Sequence, residues 1–264
     1  MKSRFFIWAT AVGMMTVACQ QPKTPTGSFS NAALTEQETV EEVEEPATVS
    51  VELTDTTMTY GEHVYTMKGN LTAEQYNREA VGRVTFTHVP TDFMEFERVY
   101  SDFLGKTPHG VMAMMPMAME LYGRDRDLGE RCIRLINYDS NVSSVLSILR
   151  VKFNASEHAP ENDTYTQRYL PAAALKGATP ENGYTPTEPY TVEMTASVNP
   201  HSDLKISGKG RVVYLYILGE GWDTRKRQVE VLLPPGNGAL HKVFNCPSLY
   251  TQCKTIEGEW KGLK

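Results

Sequence analysis

Two rhythms of apolar and polar positions divide this 264-residue chain. From residue 91 to 151 apolar side chains recur every three or four positions, the spacing of helices. From 190 to 246 they recur at every second position, the spacing of strands. Phe93, Phe96, Val99, Tyr100 and Phe103 form an aromatic stripe on a first helix, capped by Thr91 with Asp92 in its first turn and closed by Gly105. A second helix starts at Thr107-Pro108 and runs to Gly123, with a kink or restart expected at Pro116. A third spans 127–137, where Leu128, Cys132, Leu135 and Ile136 share a face; 141–151 reads as a fourth. Upstream, 51–67 reads as a strand or hairpin, 71–76 as a helical turn, and 82–89 as a half-buried strand carrying His88.

Four strands are expected beyond these, at 190–198, 211–218, 228–233 and 240–246. The strand around Val213, Leu215 and Ile217 is apolar on both sides, so it is expected at the centre of the sheet with both faces covered. Between the two regions lies 169–192. Pro171, Pro180, Pro186 and Pro189 exclude a continuous helix there, and Asn182-Gly183 marks a turn. Its AAAL run and its tyrosines are too apolar for a free linker. It is expected to be an ordered strap, and Tyr169, Tyr184 and Tyr190 are its candidate binding surface. The fold class is therefore α+β: an N-terminal layer of three to four helices on a C-terminal antiparallel sheet of four or more strands.

The ends of the chain change the picture of where it works. Lys2 and Arg4 precede an apolar run over 5–17, too short to span a bilayer but fitted to an export signal. The run closes on Val17-Ala18-Cys19, which resembles the lipobox of bacterial lipoproteins. That resemblance implies a lipid on Cys19, and Gln20 directly after it implies the outer membrane. Residues 19–50 then read as a disordered acidic tether with six glutamates between Glu36 and Glu45. A single domain over 51–264 follows. The net charge is −6; the signal contributes +2 and the tether −5, leaving −3 for the domain. Charges of both signs are mixed along it, and no basic stripe argues for nucleic acid.

Candidate chemistry is sparse. Met112, Met114, Met115, Met117 and Met119 suggest a soft Cu(I) site only until helix geometry spreads them over several faces; they read as core. No metal or cofactor is expected. Cys246 and Cys253 are near enough for a small covalent loop in an oxidising envelope, stabilising by about 2.5 kcal/mol, or they stay reduced. Cys132 reads as an inert buried thiol. Asp125 and Asp127 have a sufficient role at a helix start, and Asp223 with Arg225, Lys226 and Arg227 reads as a solvated turn. Nucleophile and phosphate-loop patterns are missing.

Three runs carry a wider resemblance. They are Thr107-Pro108-His109-Gly110 with Ala113-Met114-Met115; Tyr169-Leu170-Pro171 with 177–182, Tyr184, Pro186 and 189–192; and 221–227, where Arg225 replaces a usual proline. On these the chain resembles an uncharacterised family of bacterial exported proteins, a domain of unknown function. The resemblance spans most of 55–256 and implies one exported domain, with no activity attached. The expectation is a binding or scaffolding module of the cell envelope, tied to the membrane through Cys19, with a protein or glycan partner. The rival is an extracytoplasmic hydrolase acting on envelope or dietary polymers through dispersed residues.

Overall fold

Strand pairing between residues far apart in the chain gives the domain its frame. The computed structural model describes residues 55–69, 81–153, 167–196, 204–236 and 238–264. The signal, the tether, Cys19 and the turn expected at 71–76 lie outside them. The strands are β1 (Asp55–Tyr60), β2 (His63–Lys68), β3 (Val81–Phe86), β4 (Tyr190–Ala196), β5 (Leu204–Ile206), β6 (Gly210–Leu218), β7 (Lys226–Leu233) and β8 (Lys242–Asn245). They form one antiparallel sheet in the order β1-β2-β3-β4-β6-β7-β8, with β5 continuing the line of β4 along the edge of β6. The helices are α1 (Phe93–Asp102), α2 (Pro108–Arg124), α3 (Arg126–Ile136), α4 (Val142–Phe153), α5 (Leu170–Ala173) and α6 (Pro247–Tyr250).

The α+β class holds, but two parts of the expected layout change. The sheet is not confined to the C-terminal half: β3 pairs with β4 across more than a hundred residues, so α1 to α5 are an insertion between strands of one sheet and α6 follows its final strand. Such a pairing leaves no local trace in the sequence. Strand β6 is fully covered on one side and only in part on the other. Val213, Leu215 and Ile217 are buried; on the alternate side Val212 is buried too, while Tyr214, Tyr216 and Leu218 are partly buried.

The core lies between the helices and one sheet face. Val84, Phe86, Val192, Met194, Leu215, Ile217, Val229 and Val231 point into it. Opposite them, α2 packs on β3, β7 and β8. This helix is buried almost all round, and its five methionines pack in the core. Thr107 caps it by accepting from the Gly110 amide at 3.0 Å, and Pro108 sits in its first turn. The restart expected at Pro116 is absent, since α2 continues to Arg124. Asp92 and Asp125 cap α1 and α3 in the same manner.

The 169–192 stretch is an ordered strap, built around one side chain. The Asn182 carboxamide oxygen accepts from the amides of Thr179 (3.0 Å) and Thr185 (3.1 Å). Its nitrogen donates to the carbonyls of Gly177 (2.7 Å) and Thr185 (3.0 Å). All four hydrogen-bonding positions of the amide are thereby used. Gly183 follows at φ +65°, and a Cβ there would lie 2.4 Å from the Glu259 carbonyl oxygen. The C-terminal segment lies over the strap: the amides of Glu257 and Gly258 donate to the Pro180 carbonyl, and the Tyr184 hydroxyl donates to that of Lys254 at 2.7 Å.

Candidate functional site

Alternation along the strands puts a second set of side chains on the face turned away from the helices. Register aligns them in rows. Lys68 stands beside Arg83, Arg83 beside Glu193, Glu193 beside Leu218, and Leu218 beside Lys226. The next row is Thr57, Thr66, Thr85 and Thr191, with hydroxyl contacts of 3.1 Å between the first two and 3.3 Å between the last two. Thr195, Tyr216 and Gln228 make a third.

Glu193 is the centre of this face. Its Oε1 lies 3.2 Å from Arg83 Nε and 3.0 Å from Lys176 Nζ, and its Oε2 lies 3.7 Å from Arg225 Nη2. The carboxylate is 11% exposed, while the three cationic side chains are 45%, 51% and 59% exposed. Lys176 is placed there by the strap, whose backbone pairs with Thr191: the Lys176 amide donates to the Thr191 carbonyl at 2.8 Å. Arg225 comes from the turn before β7. Beside it the Lys226 ammonium sits 5.9 Å from the Tyr216 ring centroid. Three cations thus surround one carboxylate, and Glu230, bonded to Gln228 further along β7, adds a second carboxylate to the same face. The turn that read as solvated thus supplies two of the face's cations, and Arg227 stacks over Trp222 at 5.0 Å.

Two clefts flank the sheet at opposite ends. One, of about 460 Å³, is lined by Thr87, His88, Glu188, Pro189 and Lys264. His88 stacks on His63 with ring centroids 4.7 Å apart. His63 Nδ1 lies 2.5 Å from the buried Glu95 carboxylate, which also accepts from the Tyr65 hydroxyl at 2.6 Å and the Thr91 amide at 2.7 Å. Burial, reinforced by Glu95, pushes the Tyr65 phenol well up. Four protein donors around Glu95, counting the Thr91 hydroxyl, satisfy it, so this cluster joins β2 to α1. The other cleft, about 660 Å³, is lined by Lys205, Arg211, His241, Leu233 and Pro234 among others. Behind it, burial together with neighbouring His241 holds the His109 imidazole down at about 3. His241 is itself lowered by burial while hydrogen-bonded to the Gly105 carbonyl.

The tyrosine surface read from the sequence is corrected. Tyr169, Tyr184 and Tyr190 are 8%, 0% and 3% exposed. Tyr169 stacks on Tyr184 at 4.6 Å, and Tyr190 packs edge-on against Phe86. They hold the strap down and cannot form a surface. Cys246 and Cys253 are separate free thiols, so the expected bridge is not present. Each has its own partner: Cys246 Sγ lies 2.6 Å from the Tyr250 hydroxyl, and Cys253 Sγ lies 3.4 Å from Gln167 Oε1. Burial pushes Cys246 and Cys132 up to about 12 and Cys253 up to about 11. Among the described residues no group of three or more His, Cys, Asp or Glu could hold a metal ion, and no helix is long and apolar enough to cross a membrane.

Residues 88–257 match a family described as a domain of unknown function, DUF6935. The chain belongs to this family. The matched part contains the strap, Lys176, Glu193, Arg225 and Lys226, whereas Lys68 and Arg83 come from the strands ahead of it. No curated protein and no solved structure matches the chain.

Proposed function

We propose that the protein is a binding module of the cell envelope, held at the outer membrane by a lipid on Cys19, that offers the helix-free face of its sheet to a partner. The observation that carries this reading is Glu193 gripped by Arg83, Lys176 and Arg225, three open cations around one carboxylate. At Glu193 the cations outnumber the carboxylate, and their side chains are 45%, 51% and 59% exposed. The acidic segment over 19–50 separates this face from the lipid on Cys19. The anchor is tested by fractionating cells that express Cys19→Ala. The variant leaves the membrane fraction; retention there would remove the anchored reading.

A second reading rests on the pair His63–Glu95 beside the smaller cleft. A carboxylate at Nδ1 leaves Nε2 as the proton acceptor, the arrangement a hydrolase needs. It requires turnover of p-nitrophenyl esters or glycosides that vanishes in His63→Gln with folding intact. Equal turnover in variant and parent would dismiss it.

A further inference from the structure

We infer that the helix-free face binds an anionic polysaccharide, laid across the strands along the row from Lys68 to Lys226; this rests on the binding-module reading and names its partner chemistry. The row crosses β2, β3, β4, β6 and β7, which at the usual strand spacing is about 19 Å. Along it stand Lys68, Arg83 and Lys226, with Lys176 and Arg225 leaning in over Glu193. Arg83, Lys176 and Arg225 thus surround the central carboxylate, Lys68 and Lys226 stand at the two ends of the row with interactions of their own, and Glu230 is a second carboxylate on this face. A linear polymer with repeated negative charge meets such a row at several points at once, where a single small anion would engage one or two cations.

The flanking rows favour a sugar polymer over a nucleic acid. Thr57, Thr66, Thr85 and Thr191 line the face with hydroxyls, which suit the hydroxyls of a glycan. Single-stranded nucleic acid needs open aromatic rings for its bases. The two tyrosines of β6 on this face, Tyr214 and Tyr216, are both partly buried, and Tyr216 has Lys226 over its ring.

The test uses the chain from residue 20 onward, which keeps the compact unit 49–264 whole, with dextran sulfate as probe and neutral dextran as control. Dextran sulfate binds, neutral dextran does not, and the logarithm of the affinity falls linearly with the logarithm of salt concentration. Arg225→Gln and Lys226→Gln, both on exposed side chains, each weaken binding by about threefold to tenfold and flatten the salt slope. Glu193→Gln acts in the opposite direction: it releases three cations and tightens binding, which no purely structural role predicts. Equal melting temperatures of these variants separate binding from folding.

The inference is overturned if dextran sulfate fails to bind, or if Glu193→Gln weakens binding as the cation variants do. It is equally overturned if single-stranded DNA of matched charge binds more tightly, or if a peptide of residues 34–48, the acidic tether, displaces the sulfated polymer. None of these outcomes touches the anchor: Cys19→Ala leaving the membrane alongside absent glycan binding keeps the anchored module and removes only its polyanion.

Discussion

Along β3 the two faces of one sheet stand a single residue apart. Val84 and Phe86 point into the core under α2, and Arg83 and Thr85 point away from it. On the covered face, identity is set by volume: aromatic, methionine and branched side chains interlock, and α2 is buried on nearly every side. On the helix-free face, identity is set by charge and hydroxyl groups arranged in register. The first face carries most of the apolar packing, and the second carries the charged and hydroxyl groups. That division gives each face its own signature on mutation.

Phe86→Ala is expected to cost about 3–5 kcal/mol, read from urea denaturation, because it empties a large volume beside Tyr190. Thr85→Ala next to it should change stability by less than about 1 kcal/mol. Comparable losses at both positions would erase the distinction between the faces. Gly183→Val combines the left-handed backbone at φ +65° with a clash against the Glu259 carbonyl. It should cost about 2–3 kcal/mol or more and lower the melting temperature of the whole domain in one transition. Two transitions would make the strap a separable part.

Acid acts on the covered side. His109 is neutral in the fold down to about 3, because burial and His241 disfavour its charge, while the unfolded chain protonates it near 6.5. Between those values the unfolded state binds the extra proton, so stability falls as pH drops from about 6.5 toward 3, by up to about 1.4 kcal/mol per pH unit. His109→Gln should flatten that slope in pH-dependent denaturation; an unchanged slope would assign it to other groups. Smaller again is the response of the thiols. With Cys132, Cys246 and Cys253 pushed up by burial, a disulfide reagent at pH 7.5 should label none of them until denaturant is added. Rapid labelling of the native chain would contradict their burial.

Much of the covered face could be read before the structure. The periodicity of Phe96, Val99 and Tyr100, the Thr107-Pro108 start and the alternation of Val213, Leu215 and Ile217 all report local burial, and local burial is what periodicity measures. The helix-free face could not. Arg83, Lys176, Glu193 and Arg225 come from four separate segments, and the register of β3 on β4 that joins the first to the third is a long-range fact. Mixed charges along the sequence looked balanced because averaging along a chain ignores which side of a strand each charge occupies. The strap tyrosines misled in the opposite sense. Their number suggested a surface, but Gly183 and Asn182 fold the strap so that Tyr184 turns inward under the C-terminal segment.

Arg83 tests the division between the faces most directly, since it is the open-face neighbour of buried Val84. Arg83→Gln removes one exposed partner of Glu193 while Lys176 and Arg225 remain. The melting temperature should move by no more than about 3 °C, as expected for an exposed ion pair worth under about 1 kcal/mol. Affinity for dextran sulfate, measured on the same preparation, should fall by about threefold or more. A variant that melts early, or one that binds the sulfated polymer as tightly as the parent, would contradict the assignment of this face to binding.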